Sequence, residues 1–277
     1  MFVIRPTVPV LRPYVDSIWL YGSPSRGVER VLPDGAQQLL VNLDADELGV
    51  YGPGAPCLVG GAAVQAAHAG AVLIERAHQR RIAGVSFRPG GAHPFLGAPS
   101  CALDPLVELG ELWGREGAVL RERLLTVDAH GGPAGVLRAL ESALLARLRD
   151  ATPDPALGYA VRVLSAGAPV HEVATGLGVG RRAFGSRFAE RVGLTPKRFA
   201  RVRRLQRVLR AVDGGTAADW ARVAAEHGYY DQSHLIHDFR ALAGLRPTEY
   251  RPRSADERNH VPISPSEAAA TGLTMAS

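Results

Sequence analysis

The sequence has few cysteines, no long apolar run and no leader-like start. Its two cysteines, Cys57 and Cys101, lie far apart in no metal-type spacing, which fits ordinary thiols in a reducing cytoplasm better than a disulfide framework. No run of about 18 apolar residues occurs, so no transmembrane helix is expected. Prolines interrupt the N-terminus, which also lacks the basic start and apolar run of a signal peptide. We therefore expect a cytoplasmic location and no membrane contact.

The first half also lacks the residue spacings of a metal site or an active site. Its candidate ligands are Cys57, His68, Glu75, His78 and His93. None of them stands in a His-x-His or His-Glu-x-x-His arrangement. The stretch "FRPGGAHPF" has a Gly-Gly turn but no phosphate-loop pattern. Structural histidines are the ordinary interpretation, so we expect no enzyme, no metal and no cofactor.

Charge is present in modest excess but is unevenly distributed. The chain carries a formal net charge of +5, from 32 basic and 27 acidic residues. Residues 158–253 hold 17 basic and 8 acidic residues, a net of +9, and the remainder is at −4. This asymmetry suggests that the second half meets a polyanion. A solvated basic surface would give the same composition, so charge by itself does not decide.

Composition also suggests where the domains begin and end. "ATPDPALG", residues 151–158, is rich in proline and small residues and coincides with the change of charge. We predict an N-terminal domain over residues 1–150, a linker over 151–157 and a second domain over 158–253. Residues 254–277 are polar, contain scattered prolines and show no periodicity, so we predict a disordered tail there.

The first half is predicted to be an α+β domain, a small β-sheet or barrel followed by helices. "SIWLYG", "QQLLVNLD", "AVLIE" and "RIAGVSFRPGG" are apolar or alternating runs bounded by turn residues. Helical periodicity begins after Pro105. One helical face carries Leu137, Leu140, Leu144 and Leu148 at spacings of 3, 4 and 4. That face could be core or a dimer seam, and the sequence leaves both open.

The second half contains an internal repeat of helical units. "VATGLGVGRRAFGSRFAERVGLTPKRF" aligns with "VAAEHGYYDQSHLIHDFRALAGLRPTEY" at an offset of 50, then 51. Each unit has a short helix, a turn at Gly178 or Gly228, a second helix and a glycine stop. In the second unit Asp231 suits a helix N-cap. The pattern predicts an all-α domain of two helix-turn-helix units joined by one long helix.

The second helix of each unit carries hydrogen-bonding side chains off its buried stripe. Polar side chains at such positions complement the donors and acceptors of base edges in the major groove of DNA. In the first unit the candidates are Arg181, Arg182, Gly185 and Ser186. In the second they are Gln232, Ser233, Ile236 and His237. The joining helix begins with Lys197 and Arg198, which we expect to contact phosphate.

These residues resemble the AraC/XylS family of transcription regulators. "GYYDQSHLIHDFRALAGLRPTEYR" is similar to that family's signature, and "TPKRFARVRRL" to the start of its linker helix. The resemblance implies two helix-turn-helix subdomains that bind double-stranded DNA, usually activating transcription with RNA polymerase. The chain departs from the family pattern at Gly180, Ser186 and Arg246, and the first two departures put base reading by the first unit in doubt.

The first half resembles, over shorter stretches, the N-terminal domain of a subset of these regulators. The stretches are "RVLPDGAQQLLVNL", "VGGAAVQ" and "GVSFRPGGAHPFLG". By analogy this domain senses a small-molecule effector or drives homodimerisation.

Three other functions are compatible with parts of the sequence. One is an enzyme-like β-barrel, binding a small molecule or a metal, whose helical half binds nucleic acid or protein non-specifically. His227, His234 and His237 could suggest zinc, but no cysteine is near and two of them lie in the second reading helix. A second is a partner-binding module that kept the helix-turn-helix shape but not the DNA function. The net charge of +9 on residues 158–253 argues against such a module. A third is a redox sensor, which the cysteine spacing does not support.

Overall fold

The computed structural model describes residues 1–24, 27–52, 55–148, 152–212 and 219–271. Its strands are β1 Phe2–Ile4, β2 Val15–Gly22, β3 Val28–Val31, β4 Gln38–Asn42, β5 Glu47–Val50, β6 Cys57–Gly60, β7 Ala62–Gln65, β8 Val72–Glu75, β9 Arg81–Phe87, β10 Leu106–Glu108 and β11 His260–Pro262. Its helices are α1 His93–Leu96, α2 Leu109–Trp113, α3 Arg115–Arg147, α4 Pro155–Ala166, α5 Val170–Gly176, α6 Arg181–Val192, α7 Pro196–Ala211, α8 Trp220–Glu226, α9 Gln232–Ala243 and α10 Pro265–Ala270.

The N-terminal half is built on a six-stranded antiparallel sheet in the order β1-β2-β9-β4-β7-β10. Because side chains alternate along a strand, the sheet has two different faces. Ile18, Val85 and their neighbours are buried on the face that packs against α3. On the opposite face Trp19 of β2 lies over Gly84 of β9, where a Cβ atom would come within 2.3 Å of the indole. This second face carries its own hydrophobic cluster, in which Trp19, Leu40 and Ile82 pack with residues of the smaller sheets.

Two smaller sheets complete this half, and none of the three closes on itself within the described residues. Strands β11, β3 and β8 form one, and β5 and β6 form the other. The prediction of an α+β fold with strands before helices is confirmed, as an open-sheet structure rather than a closed barrel. Sequence periodicity missed the short strands such as β5 and β6, because four residues are too few to show alternation.

The leucine face of α3 is core. Leu137, Leu140 and Leu144 are buried against the six-stranded sheet, and Leu148 packs at the edge of the same cluster. The helix is kinked at Gly132, whose φ is 57°. This leucine face therefore packs inside the chain and is not a dimer seam.

The C-terminal half is helical, as predicted, with α7 at its centre. Phe199, Val202 and Leu205 of α7 are fully buried in a cluster that receives side chains from both helix-turn-helix units. Helix α7 covers 16 residues, about 24 Å at the rise of an α-helix. The first residue of the predicted linker, 151, lies outside the described residues, and α4 already begins at Pro155.

The predicted disorder of residues 254–277 is wrong for the part that the structure describes, up to residue 271. Residues 260–262 form β11, which pairs with β3. Arg30 of β3 binds Glu267 of α10 at 2.6 Å, and Ala268 is fully buried. The segment shows no periodicity because its order depends on a partner strand distant in sequence. Residues 272–277 lie outside the described residues.

The two halves are joined by direct hydrogen bonds as well as by the chain. The turn that follows β3 lies against α7: Arg203 donates to the Asp34 carbonyl at 3.0 Å and Gln206 to the Pro33 carbonyl at 2.8 Å. Ser100 donates to the Arg191 carbonyl of α6 at 3.0 Å. The Ala71 amide donates to the Leu242 carbonyl of α9 at 2.8 Å. Both helix-turn-helix units are therefore tied to the N-terminal half.

Candidate nucleic-acid interface

Both predicted helix-turn-helix units form, with glycine at each turn. Helices α5 and α6 make the first, and α8 and α9 the second. Gly178 and Gly228 have φ of 66° and 75°, in the left-handed region that side chains with a Cβ atom disfavour. These glycines let the chain reverse between the two helices of each unit.

Helices α7 and α9 begin with a side-chain cap. The Asp231 carboxylate accepts from the His234 amide at 2.7 Å, and Thr195 Oγ1 accepts from the Arg198 amide at 3.3 Å. Gly180 gives α6 no side-chain cap. The inner stripe of α9, Leu235, Phe239 and Leu242, is buried as predicted. The opposite, polar side of the helix is consequently the side available to a partner.

The predicted reading residues lie on that available side. Those exposed are Arg181, Arg182, Ser186, Gln232, Ser233 and His237. Gly185 and Ile236 are half-buried. Lys197 and Arg198, in the first turn of α7, are exposed. Lys197 and His237 line one cleft between α7 and α9, so the structure brings together a predicted phosphate contact and a predicted reading residue.

Most other arginines of α7 are committed to the protein itself. Arg201 pairs with Asp238 of α9, Arg204 donates to the Gly228 carbonyl at 3.1 Å, and Arg207 donates to the Ser165 carbonyl at 2.6 Å. Burial lowers the pKa of Arg207, and the neighbouring charge of Arg204 lowers it further. The basic residues of this helix thus divide into exposed ones at its start and structural ones along its middle.

Two features of the second unit were missed from the sequence. The adjacent tyrosines have opposite roles: Tyr229 is buried, and burial raises its pKa, whereas Tyr230 is 93% exposed just before α9. Arg204 lies 4.8 Å from the Tyr229 ring centre, a cation–π contact. The feature of the sequence that could have indicated Tyr230 is a second tyrosine, directly after Tyr229, in the turn before α9. His227 is partly buried, and burial, then Arg207, lowers its pKa.

The remaining candidate sites are dispersed. Among the described residues, no three metal-binding side chains come together, and no helix is long and apolar enough to cross a membrane. His68 bonds to the Gly70 carbonyl at 2.6 Å, and both cysteines are free thiols.

Comparison with known proteins gives two family matches. Residues 173–253 match the helix-turn-helix domain family, and residues 4–105 match a domain of unknown function, DUF6597. No curated protein matches the chain.

Similar solved structures include forms of ToxT from Vibrio cholerae. One at 1.65 Å resolution is 9% identical with a TM-score of 0.46, covering 84% of this chain and 96% of that chain. ToxT from strain O395 is 11% identical with a TM-score of 0.44, covering 84% and 95%. A ToxT with bound unsaturated fatty acid is 9% identical with a TM-score of 0.44, covering 84% and 93%.

The family match coincides with the geometry of the second half. The matched region begins in α5 and includes α6, α7, α8, α9 and the turn after α9. It corresponds to a regulator rather than an enzyme. The C-terminal region is an AraC-type helix-turn-helix domain, and the protein is a DNA-binding transcription regulator.

Proposed function

We propose that the protein binds a specific operator by placing α6 and α9 in two successive major grooves. The observation that carries this is the exposure of the polar side of both helices while their apolar stripes are buried around one shared helix, α7. The length of α7, about 24 Å, is of the order of one DNA turn, about 34 Å, once the widths of the two units are added. Residues 158–253 are thus the proposed DNA-binding domain.

The contact proposed for each residue of that domain follows from the chemistry of its side chain. Arg181, Arg182, Gln232, Ser233 and His237 offer donors and acceptors to base edges. Ile236 suits a thymine methyl, Gly185 permits close approach, and Ser186 adds a hydroxyl. Lys197 and Arg198 supply phosphate contacts that give affinity without sequence choice.

The N-terminal half, residues 1–150, is proposed to control this activity. Its hydrogen bonds to α6, α7 and α9 give it a physical route to the positions of both reading helices. A small-molecule effector or homodimerisation would act through these contacts. We further propose that the protein activates transcription through RNA polymerase in the cytoplasm, as the family resemblance suggests.

Selection from a random duplex pool, with the full chain at fixed salt, tests the central proposal. The expected result is an enriched motif that spans two major grooves. Its symmetry would distinguish a monomer from a dimer. The selection is repeated with metabolites from a cell extract added. If binding is salt-sensitive but no motif is enriched under either condition, sequence-specific reading is refuted.

Replacing Gln232 by alanine is expected to relax sequence choice at one base pair. The exposed amide lies in the first turn of α9, and loss of a bidentate base contact costs about 1–3 kcal/mol. Competition titrations against all four bases at each operator position measure the effect. An unchanged preference at every position would mean that α9 enters the groove in a different register.

Replacing Arg198 by alanine is expected to weaken binding to all sequences alike. Loss of one phosphate contact lowers the slope of log K against log salt by about 1. Arg138, exposed on α3 in the other half, provides a matched control with the same charge change. Equal slopes for the Arg138→Ala and Arg198→Ala proteins would remove Arg198 from the interface.

A further inference from the structure

The segment that follows the second helix-turn-helix unit returns to the N-terminal half of the molecule. This segment, residues 254–271, is the C-terminal strap. Its strand β11 pairs antiparallel with β3, and the Leu32 amide donates to the Asn259 carbonyl at 2.8 Å. Ala268 of α10 is fully buried in a small apolar cluster with Val28. The strap is therefore folded onto the N-terminal half, although it follows the helical half in the sequence.

Charged side chains hold both ends of the strap to β3. Just before the strap, Arg253 Nη1 lies 2.7 Å from Glu29 Oε1, and Glu29 is 4% exposed. Near its end, Glu267 Oε1 accepts from Arg30 Nη2 at 2.6 Å. Separating an ion pair with a buried member is costly, because one charge is left in the interior without its counterpart. The strap thus has an ionic anchor on each side of its strand.

The middle of the strap also contacts the second helix-turn-helix unit and α7. The Arg258 carbonyl accepts from the Tyr250 hydroxyl at 2.9 Å. Tyr250 in turn packs edge-on against Phe239 of α9, with ring centres 6.1 Å apart. Gln206 of α7 donates to Asn259 Oδ1 at 2.8 Å. Together with the pairing of β11 and β3, these contacts join the second unit, α7 and the N-terminal half at one place.

One side chain of the strap belongs to the core of the helical half. Val261 is 3% exposed and lies in the hydrophobic cluster formed by α6, α7 and α9. The backbone of the same residue lies in the sheet beside β3. Removing the strand from the sheet would therefore also take an apolar side chain out of the helical core, so the two losses are coupled.

The strapped arrangement leaves the outer sides of α6 and α9 open. The N-terminal half holds both helices near their C-terminal ends, through the carbonyls of Arg191 in α6 and Leu242 in α9. Arg181 and Gln232, in the first turns of the same helices, are exposed. The strap therefore does not cover the proposed DNA-binding surface. What it constrains is the position of one helix relative to the other.

We propose that the C-terminal strap determines which spacing between two half-sites in DNA the protein accepts. This inference rests on the proposed function, in which α6 and α9 enter successive major grooves. Each base pair inserted between the half-sites rotates one against the other by about 34° and moves it by about 3.4 Å. A second unit that is fastened both to α7 and to the N-terminal half does not follow such a change, so the strap selects spacing without contacting any base.

Without the strap, fewer contacts would hold the second unit in place. Helix α7 would still hold α9 through Arg201 and Asp238, and the Ala71 amide would still donate to the Leu242 carbonyl. The links of the strap to α7 and β3 would be lost, and the unit would adopt more orientations. Because rigidity in the bound arrangement favours one geometry, a more mobile unit distinguishes less between spacings.

The first test compares chains with and without the strap on DNA of different spacing. The probes are the bipartite motif from the random-pool selection and the same duplex with one base pair inserted between its half-sites. The insertion should weaken wild-type binding about ten-fold, within the range for one wrong base pair. It should weaken binding of a chain ending at Arg253 by less than about three-fold. A chain ending at Thr271 is the matched control and should behave as the wild type.

Equal sensitivity to spacing in the shortened chain, or no sensitivity in the wild type, would overturn the inference. A disulfide across the strap tests it again if the shortened chain does not fold. His260 and Val31 face each other as a non-hydrogen-bonded pair of β11 and β3, and the Cα atoms of such a pair, about 4.5 Å apart, suit a disulfide. With both native cysteines replaced by alanine, the chain with His260→Cys and Val31→Cys should bind the bipartite motif equally well oxidised and reduced. Loss of binding on oxidation would show that the strap opens for DNA and would overturn the inference.

A distance measurement without DNA separates failure of this inference from failure of the proposed function. Spin labels on Ala183→Cys in α6 and Ala241→Cys in α9, both exposed positions, report the distance between the two helices by pulsed electron paramagnetic resonance. The native cysteines are again replaced by alanine, and removal of the strap should broaden the distance distribution. An unchanged distribution would overturn the inference and leave the DNA-binding proposal standing. A broadened distribution in a protein that selects no bipartite motif would refute the proposed function, and the selection of spacing with it.

Discussion

Replacing Phe199 by alanine should lower the free energy of unfolding by about 4 kcal/mol, the range found for large-to-small changes at buried phenylalanines. Phe199 is fully buried in α7, and its ring centre lies 5.4 Å from that of Phe188 in the first unit. The same ring faces Gly35 of the N-terminal half, where a Cβ atom would lie 3.1 Å from it. One side chain therefore fills space shared by the first helix-turn-helix unit, the central helix and the N-terminal half.

Chemical denaturation followed by circular dichroism measures this loss, and Phe199→Leu is the matched control. Leucine keeps the apolar contact and most of the volume, so its cost should stay below about 1.5 kcal/mol. A loss under about 1 kcal/mol for the alanine protein would show that the neighbouring residues collapse into the space or that the packing around α7 is loose.

Replacing Arg201 by methionine should lower stability by about 3 kcal/mol, the low end for breaking a buried ion pair. Asp238 is 3% exposed in α9, and Arg201 of α7 donates to its Oδ1 from both Nε and Nη2. Removing the arginine leaves a buried carboxylate without its cation. Because the Arg201 side chain is 35% exposed, some water can reach the site, and we expect the lower end of the range.

The double variant Arg201→Met with Asp238→Leu separates the charge effect from packing. With both charges removed, most of the stability should return. Thermal and chemical unfolding of the wild type, the single and the double variant measure the coupling. If the double variant is as unstable as the single one, the loss comes from packing of the arginine stem and not from the unpaired carboxylate.

Most of the C-terminal half could be predicted because its signals are local. Helix stripes such as Phe184 with Phe188, caps such as Asp231, and turn glycines such as Gly228 act within four or five residues. Each motif therefore carries its own conformational preference along the chain. The repeat doubled the signal, since two units with the same pattern support one another.

The face of a helix could be predicted, but not what covers it. Leu137, Leu140 and Leu144 showed a stripe that fitted either core or dimer, and only the sheet beneath α3 decided for core. The basic residues of α7 posed the same difficulty. Arg198 is exposed whereas Arg207 donates to the Ser165 carbonyl, although both are arginines on one helix.

The sequence by itself determined the two helix-turn-helix units, the long helix between them, the strand-then-helix order of the first half and the polar outer sides of α6 and α9. Tertiary structure alone decided that residues 260–262 form a strand on β3 and that the turn after β3 lies against α7. The physical reason is the distance along the sequence over which each interaction acts. Capping and periodicity act between residues close in sequence, whereas β11 and its partner strand lie more than 200 residues apart, and no local preference records such a pairing.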